Sequence, residues 1–270
     1  MSDQQDEAIA TNLPASLKAS LRGAIAHLRL ARPDKRNALD DITVEGLFTF
    51  FTQLPAAVRV VVLTGDGAHF SAGLDLSEIA NTSPLLDSIL HSRMWHRAFE
   101  AIQYGPVPVI TVLHGAVVGG GLELAASTHI RIAERSTYYG LPEGQRGLFL
   151  GGGGSVRITR LIGVACVQDM MLTGRTLDAE EGKIARISQY LVDDGQGLAK
   201  AMALAEKVIA NSQTTNFSVL HALPRIAESD PASGLLAESL MAAIAENSPE
   251  ARQRLKDFLE KRSAKVLPQG

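Results

Sequence analysis

An apolar strand that runs into a cluster of glycines constrains this chain more than any other feature. Residues 107–113 have the sequence Val-Pro-Val-Ile-Thr-Val-Leu, and a short apolar segment then leads to three consecutive glycines at 119–121. The apolar run predicts a strand covered on both faces, and the glycines predict a tight turn into a short helix. The first N–H groups of a helix have no partner inside it and lie at its positive end. This stretch therefore predicts backbone donors that can hold a developing negative oxygen.

Two glutamates follow the glycines. Glu123 lies just inside the predicted helix, and Glu143 follows Pro142 twenty residues later. Two carboxylates that converge in an apolar stretch are typical of sites that add or remove water and protons. Like charges in a small site raise one pKa, which leaves one acid and one base. The alternative is that Glu123 only complements the helix dipole and that Glu143 lies on the surface.

The order of elements predicts a layered α/β fold with a largely parallel sheet. Strand, glycine turn and helix follow one another repeatedly, with Asp40 or Asp41 and Asp178 as candidate helix N-caps. Toward the C-terminus the pattern becomes helical only. We therefore predict three regions, which are a flexible N-terminus at 1–15, an α/β core at 16–200 and a helical region at 201–270.

Composition and charge exclude several classes of protein. The chain has 270 residues, 46% of them hydrophobic and 20% charged, with a formal net charge of −3. This balance suits a soluble enzyme and gives no bulk electrostatic reason to bind nucleic acid or an acidic membrane. No apolar run approaches the ~20 residues of a membrane-spanning helix, and residues 1–12 do not resemble a secretory signal. The single cysteine, Cys166, excludes an internal disulfide and favours a reducing, cytoplasmic location.

Five sequence blocks in register resemble the crotonase (enoyl-CoA hydratase/isomerase) family, and its enoyl-CoA hydratases in particular. They are Arg-Pro-Asp-Lys-Arg-Asn-Ala-Leu at 32–39, Phe-Ser-Ala-Gly-Leu-Asp-Leu at 70–76, the glycine block at 114–123, Pro-Glu at 142–143, and Phe-Leu-Glu-Lys-Arg at 258–262. The resemblance covers nearly the whole chain. It implies a crotonase-like spiral of ββα units with a C-terminal helical subdomain, whereas the pattern alone does not distinguish this fold from a doubly wound sheet.

The resemblance implies catalytic roles for four positions around a thioester. The backbone N–H groups of Leu74 and Gly120 would bind the thioester oxygen as it becomes enolate-like. Glu123 and Glu143 would orient and activate one water, with Glu143 giving a proton to carbon and Glu123 taking one from the water. This division between the two glutamates stays open. The alternative for the glycines is that they only permit close packing of strand and helix.

The resemblance also implies a binding site for the coenzyme A (CoA) moiety of the substrate, with no other cofactor and no metal. The residues implied at this site are Lys35, Arg36, Ala38, Ala72, Asp75, Leu76, Phe258 and Lys261. The basic pair can meet phosphates, the backbone around Leu74 would hold the adenine ring, and the last two residues would close over the nucleotide, often from a neighbouring subunit. The alternatives are a solvated turn for the basic pair and an ordinary helix-face position for Phe258.

Several residues depart from the family pattern near the second glutamate. Gly144 is unusual and would loosen the loop, Gln145-Arg146 is unexpected near a pocket, and Leu150 replaces a proline that is common in relatives. These departures leave the acyl group open without affecting the thioester chemistry. The glycines around the pocket favour a short or hetero-substituted acyl group. The run 139–147 resembles methylthioacryloyl-CoA hydratases, in which water addition is followed by thioester cleavage.

Taken together, these features predict a 2-enoyl-CoA hydratase. The resemblance also implies self-association as a trimer or hexamer, with 201–270 as the helical oligomerisation region. Within the same fold the alternatives are an isomerase and a CoA thioester hydrolase. A CoA- or RNA-binding scaffold is an alternative of another class, and the net charge of −3 and the intact glutamate pair argue against it. The chain contains no P-loop, no Gly-x-Ser-x-Gly elbow and no His-x-x-x-His pair that would indicate a metal.

Overall fold

The computed structural model describes residues 7–8, 12–79 and 84–260. Most of the predicted flexible terminus, and Lys261, therefore lie outside the described residues. The strands are β1 Glu7–Ala8, β2 Leu17–Arg22, β3 Ile25–Leu30, β4 Val60–Gly65, β5 Val109–Leu113, β6 Ala116–Val118, β7 Ile130–Glu134, β8 Tyr138–Gly140, β9 Leu177–Asp178 and β10 Tyr190–Val192. The α-helices are α1 Asp41–Thr52, α2 Leu85–Gln103, α3 Gly120–Ala126, α4 Gly154–Ile162, α5 Val164–Thr173, α6 Ala179–Ile184, α7 Gly197–Ile209, α8 Gln213–His221, α9 Leu223–Glu228, α10 Pro231–Glu246 and α11 Pro249–Leu259.

The main sheet has seven strands in the order β1-β2-β3-β4-β5-β7-β10. Pairing is parallel from β3 to β10 and antiparallel between β1, β2 and β3. The central strand β4 is buried along nearly its whole length, as its β-branched sequence predicts. The predicted α/β fold with a largely parallel sheet is therefore confirmed.

A second, three-stranded sheet has the order β6-β8-β9 and supports the glycine turn. The chain leaves β5, turns at Gly115 and forms β6 before α3 begins, so one unit of the fold is strand, strand, helix. Gly115 has a φ of 53°, and a Cβ there would lie 2.1 Å from the carbonyl oxygen of Ala68, so only glycine fits. The sequence pattern predicts one strand that runs directly into the glycine turn and does not indicate β6, because β6 has only three residues and continues the apolar run.

Packing of α1 and α2 closes one side of the core. Asp40 is the N-cap of α1, and its side chain accepts a hydrogen bond from the N–H of Thr43, as predicted. Phe50 and Phe51 at the other end of α1 are fully buried and meet edge to face with 5.2 Å between ring centroids. Burying each such ring stabilises the fold by roughly 1.5–3 kcal/mol.

The chain divides into two compact units, residues 1–208 and 209–270. The predicted boundary at 200/201 falls inside α7, whose buried face includes Ala201 and Ala205. Helix α7 begins at Gly197, where a Cβ would lie 2.3 Å from the side chain of Val112 in β5, so this helix belongs to the first unit. The second unit consists of the helices α8 to α11 over its described residues.

Candidate active site

One cavity of about 370 Å³ contains the four positions that the sequence predicted as catalytic. Its lining includes Leu74, Gly120, Glu123 and Glu143, which come from three separate regions of the chain. Ala72 and Leu76 from the predicted CoA site line the same cavity, together with Ser88, His91, Ser92, Trp95, Val118, Gly119, Arg146, Leu148, Phe149, Gly151 and Gly152. The volume lies at the small end of the range for ligand pockets in proteins.

The N–H groups of Leu74 and Gly120 lie side by side at the wall of this cavity. A Cβ placed on Gly120 would be 3.2 Å from the backbone nitrogen of Leu74, and one placed on Gly73 would be 3.0 Å from the nitrogen of Gly120. Within the described part of the chain, neither N–H donates to a backbone acceptor. Two adjacent, unused donors beside the first turn of α3 are suited to binding an oxygen that gains negative charge.

The loop that carries Leu74 is fixed by backbone hydrogen bonds on both sides. The N–H of Leu39 donates to the carbonyl of Gly73, and the N–H of Asp75 donates to the carbonyl of Leu39, both at 2.8 Å. Gly73 has a φ of 88°, and a Cβ there would lie 2.5 Å from the carbonyl oxygen of Val118. Glycine is therefore required at this position by both its backbone conformation and its close packing.

Glu123 lies in the first turn of α3 and is almost completely buried. Its Oε1 accepts hydrogen bonds from the N–H groups of Gly152 and Gly154, each at 2.8 Å. Burial raises the pKa of Glu123 to about 7, and the charge of Glu143 adds to this rise, while the two N–H donors and Arg157 oppose it. A carboxyl group with such a pKa can both take and release a proton near neutral pH.

Glu143 reaches the cavity from a 3-10 helix over Pro142–Arg146. A Cβ added to Gly119, which has a φ of 51°, would lie 2.7 Å from Glu143 Oε1, so the glycine turn leaves room for this carboxyl group. The other oxygen, Oε2, is buried and has no hydrogen-bond partner within the described residues. Burial raises the pKa of Glu143, and the nearby charge of Arg146 partly offsets the rise. Glu143 is thus not a surface residue.

Two side chains that were not predicted from the sequence hold the glycine loop at 151–154, whose N–H groups donate to Glu123. Arg157 Nη1 donates to the carbonyl of Gly152 at 2.9 Å, and Ser92 Oγ donates to the carbonyl of Gly151 at 2.6 Å. Gly151 lines the cavity, and its N–H donates to no backbone acceptor among the residues described. A signal for Arg157 was present, because it shares the buried face of α4 with Gly154 and Ile158 at helical spacing.

Gly144 packs tightly rather than loosening its loop. A Cβ there would lie 2.6 Å from the carbonyl oxygen of Met171, so the glycine allows the 3-10 helix to approach the backbone of α5. Leu150 is buried in the core at the end of the same loop. Both departures from the family pattern thus contribute to packing.

Among the predicted CoA-binding residues, Asp75 has its carboxylate occupied by the protein. Its side chain accepts hydrogen bonds from Ser77 Oγ at 2.8 Å and Arg32 Nη2 at 2.9 Å, and these bonds hold the pKa of Asp75 below its usual range. Arg32 also donates to the carbonyl of Ala38 at 2.7 Å. Asp75 and Ala38 are thus brought together by Arg32.

Lys35 and Arg36 lie at the end of a 3-10 helix over Pro33–Lys35, and both side chains are exposed. Neither lines the cavity. Arg36 and Asn37 have φ values of 52° and 53°, and the buried side chain of Asn37 donates to the carbonyls of Asp66 and His69 at 2.9 and 2.7 Å. Asn37 therefore holds this turn in place, a role that sequence analysis missed.

The remaining candidates lie elsewhere. Phe258 is on α11 in the second unit with a side chain that is about half exposed, and Lys261 lies outside the described residues.

No group of three or more His, Cys, Asp or Glu side chains that could hold a metal ion occurs within 12–79 and 84–260. Over the same residues, no helix has the length and apolar character needed to cross a membrane.

Comparisons with known sequences identify the family of this chain. The chain matches the family described as "Enoyl-CoA hydratase/isomerase" over residues 20–266. A Bacillus subtilis protein named "Probable enoyl-CoA hydratase" is 33% identical over 229 residues, which are 84% of this chain and 89% of that protein.

Solved structures show the same fold. One crystal structure is of a Rhodopseudomonas palustris protein that is named provisionally as an enoyl-CoA hydratase. Its sequence is 51% identical, and it superimposes with a TM-score of 0.90 over 96% of this chain and 100% of that chain. The crystal structure of enoyl-CoA hydratase from Bacillus anthracis is 29% identical, with a TM-score of 0.85 over 91% of this chain and 96% of that chain. These similarities confirm the predicted spiral fold.

Proposed function

This chain belongs to the enoyl-CoA hydratase/isomerase family, and from that premise we propose that it adds water across the double bond of a short-chain α,β-unsaturated acyl-CoA. The observation that carries the proposal is that buried Glu123 and half-buried Glu143 share one cavity with the N–H groups of Leu74 and Gly120, and neither N–H donates to a backbone acceptor among the described residues. Isomerisation needs one group to move a proton, whereas hydration also needs a second group to activate water. The pair of carboxyl groups therefore favours hydration.

The proposed reaction begins with the thioester oxygen between the N–H groups of Leu74 and Gly120. Ionised Glu123 takes a proton from a water molecule as the water oxygen bonds to the β-carbon, and the electrons of the double bond move onto the thioester oxygen as an enolate. Protonated Glu143 then gives its proton to the α-carbon and the carbonyl re-forms. One water has been added, and transfer of a proton from Glu123 to Glu143 through solvent restores the starting state.

The hydrogen bonds of the two carboxyl groups support this assignment of base and acid. Glu123 Oε1 accepts from two backbone N–H groups, which favours its ionised form. Glu143 Oε2 is buried with no partner among the described residues, and burial raises its pKa, which favours its protonated form. The nearby N–H of Gly151 is suited to hold the water between them.

The proposal extends to the CoA moiety and to assembly. Exposed Lys35 and Arg36 would bind phosphates of CoA, and no other cofactor or metal is required. Self-association as a trimer or hexamer is proposed because apolar side chains of α10, such as Leu236 and Leu240, are exposed on the isolated chain. With a single cysteine, Cys166, the protein suits the cytoplasm.

The test is a substrate panel with two simultaneous readouts. Crotonyl-CoA, acryloyl-CoA and methylthioacryloyl-CoA are offered to the enzyme while enoyl thioester absorbance and free thiol are followed. Loss of absorbance without thiol supports hydration alone, and loss with thiol from the methylthio compound supports the narrower assignment with thioester cleavage. Absence of turnover with every enoyl-CoA, while CoA esters still bind, would contradict the hydratase proposal.

Substitution of each glutamate tests the mechanism. Glu123→Gln and Glu143→Gln are each expected to lower kcat by about 10²-fold or more, because acid–base groups contribute roughly that factor. Glu206→Gln, on the exposed side of α7, is the matched control and should leave the rate unchanged. Persistence of the full rate in both active-site variants would remove the two carboxyl groups from the reaction.

A further inference from the structure

Arg146 is an exposed cation that lines the active-site cavity and has no partner among the described residues. It ends the 3-10 helix that carries Glu143, three residues after that glutamate, and Gly147 with a φ of 68° then turns the chain away. Arg146 lines the same cavity as both glutamates. Its positive charge is close enough to lower the pKa of Glu143 against the effect of burial.

His91 and Ser92 at the cavity have partners within the protein, whereas Arg146 has none among the described residues. Nε2 of His91 lies 2.7 Å from Asp41 Oδ1, and Ser92 Oγ donates to the carbonyl of Gly151. The guanidinium group of Arg146 forms no ion pair and no hydrogen bond with any residue of the described chain. A ligand that fills the cavity would remove water from this group without replacing its hydrogen bonds unless the ligand itself carries an acceptor.

The rest of the wall indicates where the acyl group would lie. Leu74, Leu76 and Trp95 are apolar and suit a short hydrocarbon segment, and Leu148 and Phe149 follow Arg146 directly along the chain. The cavity thus combines apolar side chains with the exposed guanidinium group of Arg146. A guanidinium group presents a planar fork of donors that matches a carboxylate in two parallel hydrogen bonds.

We propose that Arg146 binds a carboxylate at the far end of the acyl group, so that the preferred substrate is a CoA thioester of a short unsaturated dicarboxylic acid. This inference rests on the proposed hydration, because it takes the cavity to hold a 2-enoyl group. A purely alkyl chain or a methylthio substituent is neutral, and either would leave Arg146 buried by the ligand without a counter-ion.

Three enoyl-CoA substrates test the proposal by kinetics. Glutaconyl-CoA carries the carboxylate, crotonyl-CoA lacks it, and 5-methylhex-2-enoyl-CoA replaces it by a neutral isopropyl group of similar shape. We expect kcat/KM for glutaconyl-CoA to exceed both of the others by about 10- to 100-fold, the range for a hydrogen bond between charged groups. Arg146→Met should remove this preference, and Arg146→Lys should retain part of it.

Arg93→Met is the matched control, because Arg93 is an exposed arginine on α2 outside the cavity lining and the substitution changes the net charge equally. It should leave the ratio between glutaconyl-CoA and crotonyl-CoA unchanged. Hydration of crotonyl-CoA with no preference for glutaconyl-CoA would overturn the role of Arg146 and leave the hydratase proposal standing. An equal loss on all three substrates in Arg146→Met would also overturn it, since Arg146 would then serve Glu143 or the CoA moiety.

Binding of saturated thioesters tests the same inference independently of turnover. Calorimetric Kd values for glutaryl-CoA and butyryl-CoA are compared in the wild-type protein and in Arg146→Met. Tighter binding of glutaryl-CoA that is lost in the variant supports the carboxylate site even where no enoyl-CoA is hydrated, a result that would contradict only the hydratase proposal. Equal affinities in the wild-type protein would overturn the carboxylate site.

Discussion

Arg157 and Glu123 are connected through a single glycine of the active-site loop. Arg157 Nη1 donates to the carbonyl of Gly152 at 2.9 Å, and the N–H of Gly152 donates to Glu123 Oε1 at 2.8 Å. Arg157 Nε also donates to Gln103 Oε1 at 2.7 Å, which fixes the guanidinium group. Arg157 thus acts as a positioning residue that aims a donor at the proposed base, and its charge lowers the pKa of that base.

The first prediction concerns the substitution Arg157→Met. Loss of the positive charge and of the fixed donor should raise the pKa of Glu123 above about 7, because burial then acts with less opposition. Since Glu123 is proposed to act in its ionised form, the acid limb of the kcat/KM profile should move to higher pH. The profile is measured with crotonyl-CoA between pH 5 and 9.

Arg157→Lys tests the positive charge of this side chain separately from the position of its hydrogen-bond donors. It keeps the positive charge but loses the planar pair of donors, so the acid limb should move less than in Arg157→Met while kcat still falls. A purely structural role predicts instead a lower fraction of folded enzyme with an unchanged pH profile in both variants, and that result would remove Arg157 from the electrostatics of the site.

The second prediction is that Glu123 makes the folded protein less stable as pH rises. Burial raises the pKa of Glu123 from its ordinary value of 4.5 to about 7, so the folded state holds a proton that the unfolded state releases. The contribution of this group to the free energy of unfolding is fully present below pH 4.5 and is lost as pH rises to about 7. The loss is about 1.4 kcal/mol per pH unit and about 3 kcal/mol in total. Urea unfolding at pH 5 and pH 8 measures the difference.

Glu123→Gln should flatten this dependence, because an amide keeps an oxygen for the two N–H donors and does not ionise. The exposed Glu206 provides the control, since Glu206→Gln should retain the wild-type slope. An identical pH dependence in the wild-type protein and in Glu123→Gln would show that Glu123 ionises alike in the folded and unfolded states.

Local sequence signals predicted those parts of the fold that depend on neighbouring residues. Asp40 and Asp178 cap α1 and α6 as expected, and Asp178 forms a reciprocal capping box with Glu181. The cavity residues were predicted from the family motifs, which occur in the expected order and spacing. Leu74 and Gly120 are far apart in sequence, and no signal in their neighbouring residues indicates that they meet. Their adjacency depends on the pairing of the loop after β4 with the glycine turn.

Asn37 and Arg32, which support the site without lining its cavity, could not be predicted, because their partners are distant in sequence. Asn37 is buried by contacts to Asp66 and His69, and Arg32 is tied to Asp75. In the sequence these residues belong to a charged, turn-like segment for which exposure is the ordinary expectation. Asp75 illustrates the limit, since the resemblance implied a backbone contact to the ligand and gave no indication that the Asp75 carboxylate pairs with Arg32.

The third prediction tests the paired N–H groups through Gly73→Ala. Gly73 has a φ of 88°, and an added Cβ would lie 2.5 Å from the carbonyl oxygen of Val118 and 3.0 Å from the nitrogen of Gly120. The backbone must therefore shift where the two donors meet. We expect kcat to fall by about 10²- to 10³-fold, the usual effect of losing one donor to an oxyanion, in single-turnover assays with crotonyl-CoA.

Gly195→Ala is the control for backbone strain in this experiment. Gly195 has a φ of 78°, but an added Cβ there would meet no atom within 4 Å among the described residues. Both substitutions place alanine in a left-handed conformation at a cost of about 1–2 kcal/mol, so both should lower the unfolding free energy, whereas only Gly73→Ala should lower kcat strongly. If the two variants lost activity in proportion to their stability, the N–H groups of Leu74 and Gly120 would have no special part in the reaction, because strain alone would then account for the loss.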